Sequence, residues 1–290
     1  MPEAAVPPRN VSTLNVDLLQ EDVQTALDAM RPLVEAASDR GPDEFQGFLS
    51  VVRRAVLRRQ FDALEAISHL VGEGRGYAAP PLLRPICEEL IWISYSARID
   101  SRDAEELVCC RACIELLELL EAQHAECGFA AMKELGLFQE YKRKMEGKQA
   151  MRARIRALGR KLGWPANVTR RAQSPSVSWL AKRTGQQDVY DYIYCATSRF
   201  VHFSAHGLFR LAWYGPGGMS VRSVHFRDYW GAFSLQWGFR LFLDSAIELL
   251  NTPGMPEGEI SETDLLSTAE RIRAFGKVPI ITADELAVPE

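Results

Sequence analysis

The stretch DYWGAFSLQWGFRLFLDSAIELL, residues 228–250, decides the fold. Trp230, Phe233, Trp237 and Leu241 recur at three- and four-residue steps, with Phe239, Phe242 and Leu243 beside them. That is the α-helical period, and a helix so apolar on several sides must be enclosed by others. It predicts a central core helix. Just before it, Tyr214-Gly215-Pro216-Gly217-Gly218 reads as a turn, and Met219 to Phe226 partly alternates like a short extended piece.

Further back, Asp188 to about Trp213 reads as one helix, rich in aromatics. A loop around Trp164-Pro165 separates two helices before it. The N-terminal half repeats the pattern. Leu18, Leu19, Val23, Leu27, Met30, Leu33 and Val34 share one face, as do Phe45, Phe48, Leu49, Val52, Val56, Phe61, Leu64 and Ile67. Gly41-Pro42-Asp43 ends the first of these helices and caps the second. A third starts near Pro80-Pro81, where proline is tolerated, with Pro85 in its first turn or bending it. A fourth runs from Ser101 to about Cys127, and a short last one lies near Glu262–Phe275. The expectation is an all-α, single-domain bundle of seven to nine helices, mostly antiparallel. Residues 1–14 are expected to be a mobile tail, 15–252 the helical domain, and 253–290 a short helix and tail.

The 290 residues suffice for a sizeable core, and the 47% hydrophobic and 25% charged content places the chain among ordinary globular proteins. No apolar run approaches the roughly 20 residues of a membrane span. The start, MPEAAVPPRN, lacks the pattern of a secretory signal, so the six cysteines are expected to be reduced thiols in a cytoplasm.

Cys110, Cys113, His124 and Cys127 come close to zinc-ligand spacing. The residues between Cys113 and His124 contain no helix breaker, so a continuous helix would hold the two pairs about 16 Å apart. Four zinc ligands must converge within about 2.3 Å of one ion, so buried thiols are favoured. Glu121-x2-His124 is half of a di-iron signature with no second half. Gly72-x-Gly74-x-Gly76 follows a helix, not a strand, and so fails as a phosphate loop. No cofactor and no metal are expected.

The net charge of −4 excludes a protein that binds nucleic acid by bulk charge. Lys142 to Lys161 nonetheless carries +8 locally, leaving −12 elsewhere. Lys144, Lys148, Arg152, Arg156 and Arg160 step by four along it. Such a row could track phosphates, although a solvated face paired with acidic neighbours is favoured. In the aromatic helix Tyr194, Ser198 and His202 step by four, and Arg199, His202 and His206 share an overlapping surface. An imidazole beside a guanidinium can move a proton at a bound phosphate or hydroxyl. Each of these side chains could equally fill a polar hole in an aromatic core. Arg84 and Glu88 form an i, i+4 pair on the third helix, either an internal clasp or a pocket floor.

These residues resemble a bacterial family designated domain of unknown function five-six-seven-seven. The resemblance rests on Leu82-Leu83-Arg84-Pro85-Ile86-Cys87-Glu88, on Ala181-Lys182-Arg183-Thr184-Gly185, and on Tyr194, Ser198 and His202, and spans about residues 45–250. It implies a helical fold and a polar residue cluster, and no activity. Pro85 inside the first motif is unusual.

A looser likeness is to the HEPN class of helical ribonucleases, whose Arg-x4–6-His dyad Arg199-x6-His206 resembles. Phe200 stands where a polar residue often follows that arginine. The likeness implies a dimer in which the histidine activates a ribose 2′-hydroxyl and the arginine stabilises the phosphorane. Two functions follow. One is a metal-independent ribonuclease or RNA-binding protein using Arg199, His206 and His202, with the basic helix as phosphate track. The other is a non-catalytic module holding a small ligand or protein partner in a closed polar pocket of Arg84, Glu88, Tyr194, Ser198 and His202.

Overall fold

The apolar stretch forms helix α10, Arg227–Leu250, and the other helices are arranged around it. The computed structural model describes residues 15–39, 47–215, 218–252, 262–275 and 278–281. The expected tail at 1–14, the Gly41-Pro42-Asp43 boundary and most of the C-terminal segment lie outside them. Trp230, Phe233, Leu241 and Phe242 of α10 are at most 1% exposed. Each buried Phe or Leu contributes roughly 1.5–3 kcal/mol over an exposed one, so α10 anchors the core. Edge-to-face contacts run from Trp230 to Phe233 (5.4 Å) and Phe200 (4.8 Å), the geometry that aromatic quadrupoles favour.

Helices α1 (Val16–Ser38), α2 (Phe48–Gly72) and α3 (Leu83–Ala97) pack on α10. Asn15 caps α1 by accepting the Leu18 amide at 3.1 Å, at the position where the helical pattern begins. Pro85 is the third residue of α3 and therefore in its first turn, as expected. Between α2 and α3 a 3-10 turn at Gly76–Ala78 runs onto α10. A Cβ on Gly76 would lie 2.3 Å from the Arg227 carbonyl oxygen and 2.8 Å from Gly231 Cα. The glycine that fails as a phosphate loop thus serves close backbone packing.

Helices α4 (Ser101–Glu134) and α5 (Phe138–Lys161) form a long antiparallel hairpin. The short helices α6 (Ala166–Arg171) and α7 (Val177–Thr184) lead into α8 (Gln187–Val201), and α9 (Ala205–Phe209) follows. Strands β1 (Ala212–Gly215) and β2 (Gly218–Val221) pair antiparallel, with Gly215 opposite Gly218. The extended piece expected over Met219 to Phe226 is strand only as far as Val221, paired with the end of what reads as helix in the sequence, and Ser223–Phe226 is a 3-10 turn. Helix α11 (Glu262–Ala274) packs on α1. The fold is all-α, with eleven α-helices among the described residues. The excess over seven to nine comes from one- and two-turn pieces such as α7 and α9, too short to show a period. No helix among the described residues is long and apolar enough to cross a membrane.

Candidate functional site

The expected helix from Asp188 to Trp213 is in fact broken after Val201. His202 is extended (φ −114°, ψ 159°), and the Ser204 hydroxyl caps α9 by accepting the Gly207 amide at 3.1 Å. A capping hydroxyl offers the backbone an alternative to continuing the helix. Gly207 then lets α9 fold back on α8, since a Cβ there would lie 3.1 Å from the Arg199 carbonyl oxygen. This return decides where His206 sits. On an unbroken helix, seven residues would separate it from Arg199 by about 10 Å along the axis. Instead His206 Nδ1 lies 3.3 Å from Arg199 Nη1. His206 is exposed and Arg199 half-buried.

Close by, α3 meets α8, and Arg84 holds a second cluster. Its Nε donates to Glu88 Oε1 at 2.9 Å, its guanidinium lies 4.9 Å from the Tyr194 ring centroid, and its Nη1 is 3.4 Å from His202 Nε2. The hydrogen bond to Glu88 is the main cause raising the Arg84 pKa, so the guanidinium stays charged. Tyr190 packs on Tyr194 at 5.5 Å, and burial, with Glu88 next, raises its phenol pKa. Ser198 is half-buried and contributes its carbonyl oxygen, which accepts the His202 amide at 2.9 Å. The expected cluster of Arg84, Glu88, Tyr194 and His202 is thus assembled, but as a surface rather than a closed pocket. Tyr194 is 39% exposed and His202 exposed, because α8 buries only its opposite side, through Ile193, Ala196 and Thr197.

The neighbouring carboxylate, which sequence reasoning passed over, is the buried one. Glu89 is 7% exposed, pairs with Arg59, and lines a cavity of about 250 Å³ beside Trp92 and Arg111. Phe203 and Phe209, which count in the sequence among the aromatics of the expected helix, are 90% and 72% exposed on either side of His206.

The basic helix is placed differently from a free phosphate track. Lys144, Lys148, Arg152 and Arg156 are half-buried, and Arg160 is exposed. Lys148 pairs with Glu121, Arg154 with Glu106 (3.1 Å) and Lys161 with Asp103 (2.6 Å), all on α4. Of the four-residue row, Lys148 has its ion pair on α4, and the row borders the buried strip of Ile155 and Leu158. α5 packs chiefly on α4 and α6, whereas α8 packs chiefly on α3 and α7.

α4 is helical without a break from Ser101 to Cys127, with non-helical backbone first at Gly128 (φ 76°). Cys110 is buried, but Cys113 is half-buried and Cys127 exposed, which corrects the expectation of buried thiols. The far part of α4 faces α5. There His124 stacks on Tyr141 at 4.9 Å, and Glu121 takes Lys148. Burial pushes the Cys87 thiol on α3 up to about 12, which leaves it protonated and inert.

All three quoted motifs have structural places. Leu83 is buried where α3 meets α10, and Ala181 where α7 meets α3. Gly185 ends α7 in the left-handed conformation (φ 75°). No curated protein and no solved structure matches the chain. A family model described as "Family of unknown function (DUF5677)" matches residues 52–215, which include all three motifs and both Arg–His contacts but stop short of α10. The match covers more than half of the 290 residues, and the chain belongs to that family.

Proposed function

We propose that the outer face of the α8 C-terminus is a metal-independent ribonuclease site of HEPN type, centred on Arg199 and His206. The exposed contact of Arg199 Nη1 with His206 Nδ1 carries this reading. The guanidinium has donors only, so the contact is a hydrogen bond in the tautomer whose Nδ1 is the acceptor. An incoming phosphate competes for those donors and frees Nδ1. That nitrogen then takes the proton of the ribose 2′-hydroxyl as the 2′-oxygen attacks phosphorus and the 5′-oxygen leaves. Arg199 stabilises the charge on the phosphorane. His202, four residues before His206, or solvent protonates the 5′-oxygen.

The test is cleavage of cellular RNA by the purified protein in EDTA. His206→Ala should lower the rate by at least about 100-fold with unchanged circular dichroism. Equal cutting by the variant and the parent protein sinks the assignment.

A second reading, a non-catalytic module for a small ligand or protein partner, is favoured by the Arg84 cluster. It joins residues 118 positions apart in the chain. Absence of cleavage, together with a small molecule that co-purifies with the protein but not with Arg84→Ala, would favour it.

A further inference from the structure

Between Asp191 and Asp228 the chain has no carboxylate side chain, although Asp and Glu outnumber Lys and Arg overall, 38 to 34. The same 192–227 stretch carries Arg199, Arg210, Arg222 and Arg227 with His202, His206 and His225. Arg210 is buried under Trp230, where its guanidinium lies 4.8 Å from the ring centroid, and Arg227 pairs with Asp228. Arg222 is exposed and Arg199 half-buried. α9 packs on α8 and β1, and β1 pairs with β2, so the end of α8, α9 and β2 are linked through neighbouring elements. Interleaved with the cations are Phe203, Phe209 and Met219, 90%, 72% and 64% exposed. Exposed apolar side chains gathered with cations are the composition of a binding surface.

We propose that this surface grips single-stranded RNA, with bases stacked on Phe203 and Phe209 and phosphates held by Arg199, Arg222 and His202. The inference rests on the ribonuclease reading for the choice of RNA and adds the strand state and the residues that select it. A phenyl ring open to solvent offers a stacking face that only an unpaired base can use, and any base will do. Rings and cations in a segment whose own sequence carries no carboxylate match an alternating chain of bases and phosphates. A second copy of this chain fits less well. A two-fold contact would set each patch against itself and oppose cation to cation.

The test uses the full chain carrying His206→Ala, so that RNA stays intact, in EDTA. Binding of a fluorescent oligouridine of about twelve nucleotides is read by anisotropy, alongside a duplex of the same length. Phe203→Ala and Phe209→Ala should each raise Kd about 5- to 100-fold, and tryptophan at either position should keep the parent affinity. Both phenylalanines are on the surface, so the variants should fold normally. If the alanine variants bind as the parent does, or the duplex binds as tightly as the single strand, the inference fails. Cleavage by the unmodified protein would still stand in that case. No binding by the parent, together with no cleavage by the unmodified protein, removes both readings. If instead the alanine variants convert a dimer to monomer by light scattering with RNA affinity unmoved, the patch is a self-interface and the inference is overturned.

Discussion

Asp244 lines a cavity of about 690 Å³ between α8, α10 and α11, with Arg240 at 3.9 Å and Arg273 also on the wall. Burial raises its carboxyl pKa, and the two arginines only partly oppose this. Its folded-state pKa therefore lies above the unfolded one. The folded protein binds more protons in that window, so stability declines as pH rises through it. Asp244→Asn removes the decline. The variant should be at least as stable as the parent at neutral pH, with the difference vanishing at about pH 3, where both states are protonated. Urea midpoints at the two pH values check this. A clearly lower midpoint for the variant at neutral pH would mean that the ion pair with Arg240 outweighs desolvation. The side chain is 46% exposed, so the effect should be small. No pattern of the sequence marks Asp244, because desolvation is set by the neighbours on other helices.

Among the elements, the 3-10 turn at Gly76–Ala78 meets α10 backbone to backbone, and the prediction for Gly76→Ala follows from it. The added methyl would sit 2.3 Å from backbone oxygen, which cannot swing aside as a side chain could. The turn must move, and α10 loses its fit. Unfolding in urea should show a loss of about 1–3 kcal/mol, against a slight gain for an alanine placed at an unstrained exposed glycine. An unchanged midpoint would show that the turn is not packed this way. Sequence period made α10, α2 and α4 legible, because long one-sided or many-sided apolar patterns admit one reading. It misled at Val201, where aromatic residues continue past the true end of α8. The Ser204 cap and Gly207 were visible as residue types, but their effect depends on α9 packing against Arg199. The basic helix was legible as an element and not as a site, since its acidic partners on α4 lie 27 to 58 residues away.

For the molecule as a whole, a net charge of −4 sets long-range repulsion against local cationic attraction. If Arg199 and Arg222 are the principal phosphate contacts, the logarithm of RNA affinity should fall with the logarithm of salt at a slope of about −1.4. A slope steeper than about −3 would bring in the row on α5.

Composition and period alone established the all-α class, the central helix, the family motifs and the residue types able to bind a phosphate. These follow from the backbone's own repeat and from the need to bury apolar faces, which any stretch of chain displays by itself. The tertiary structure alone decided that α8 stops at Val201, that His206 turns back to Arg199, that Arg84 meets His202, and that Phe203 and Phe209 stay in solvent. Those outcomes depend on which surfaces of distant segments come into contact, and that information is carried by no single stretch of sequence.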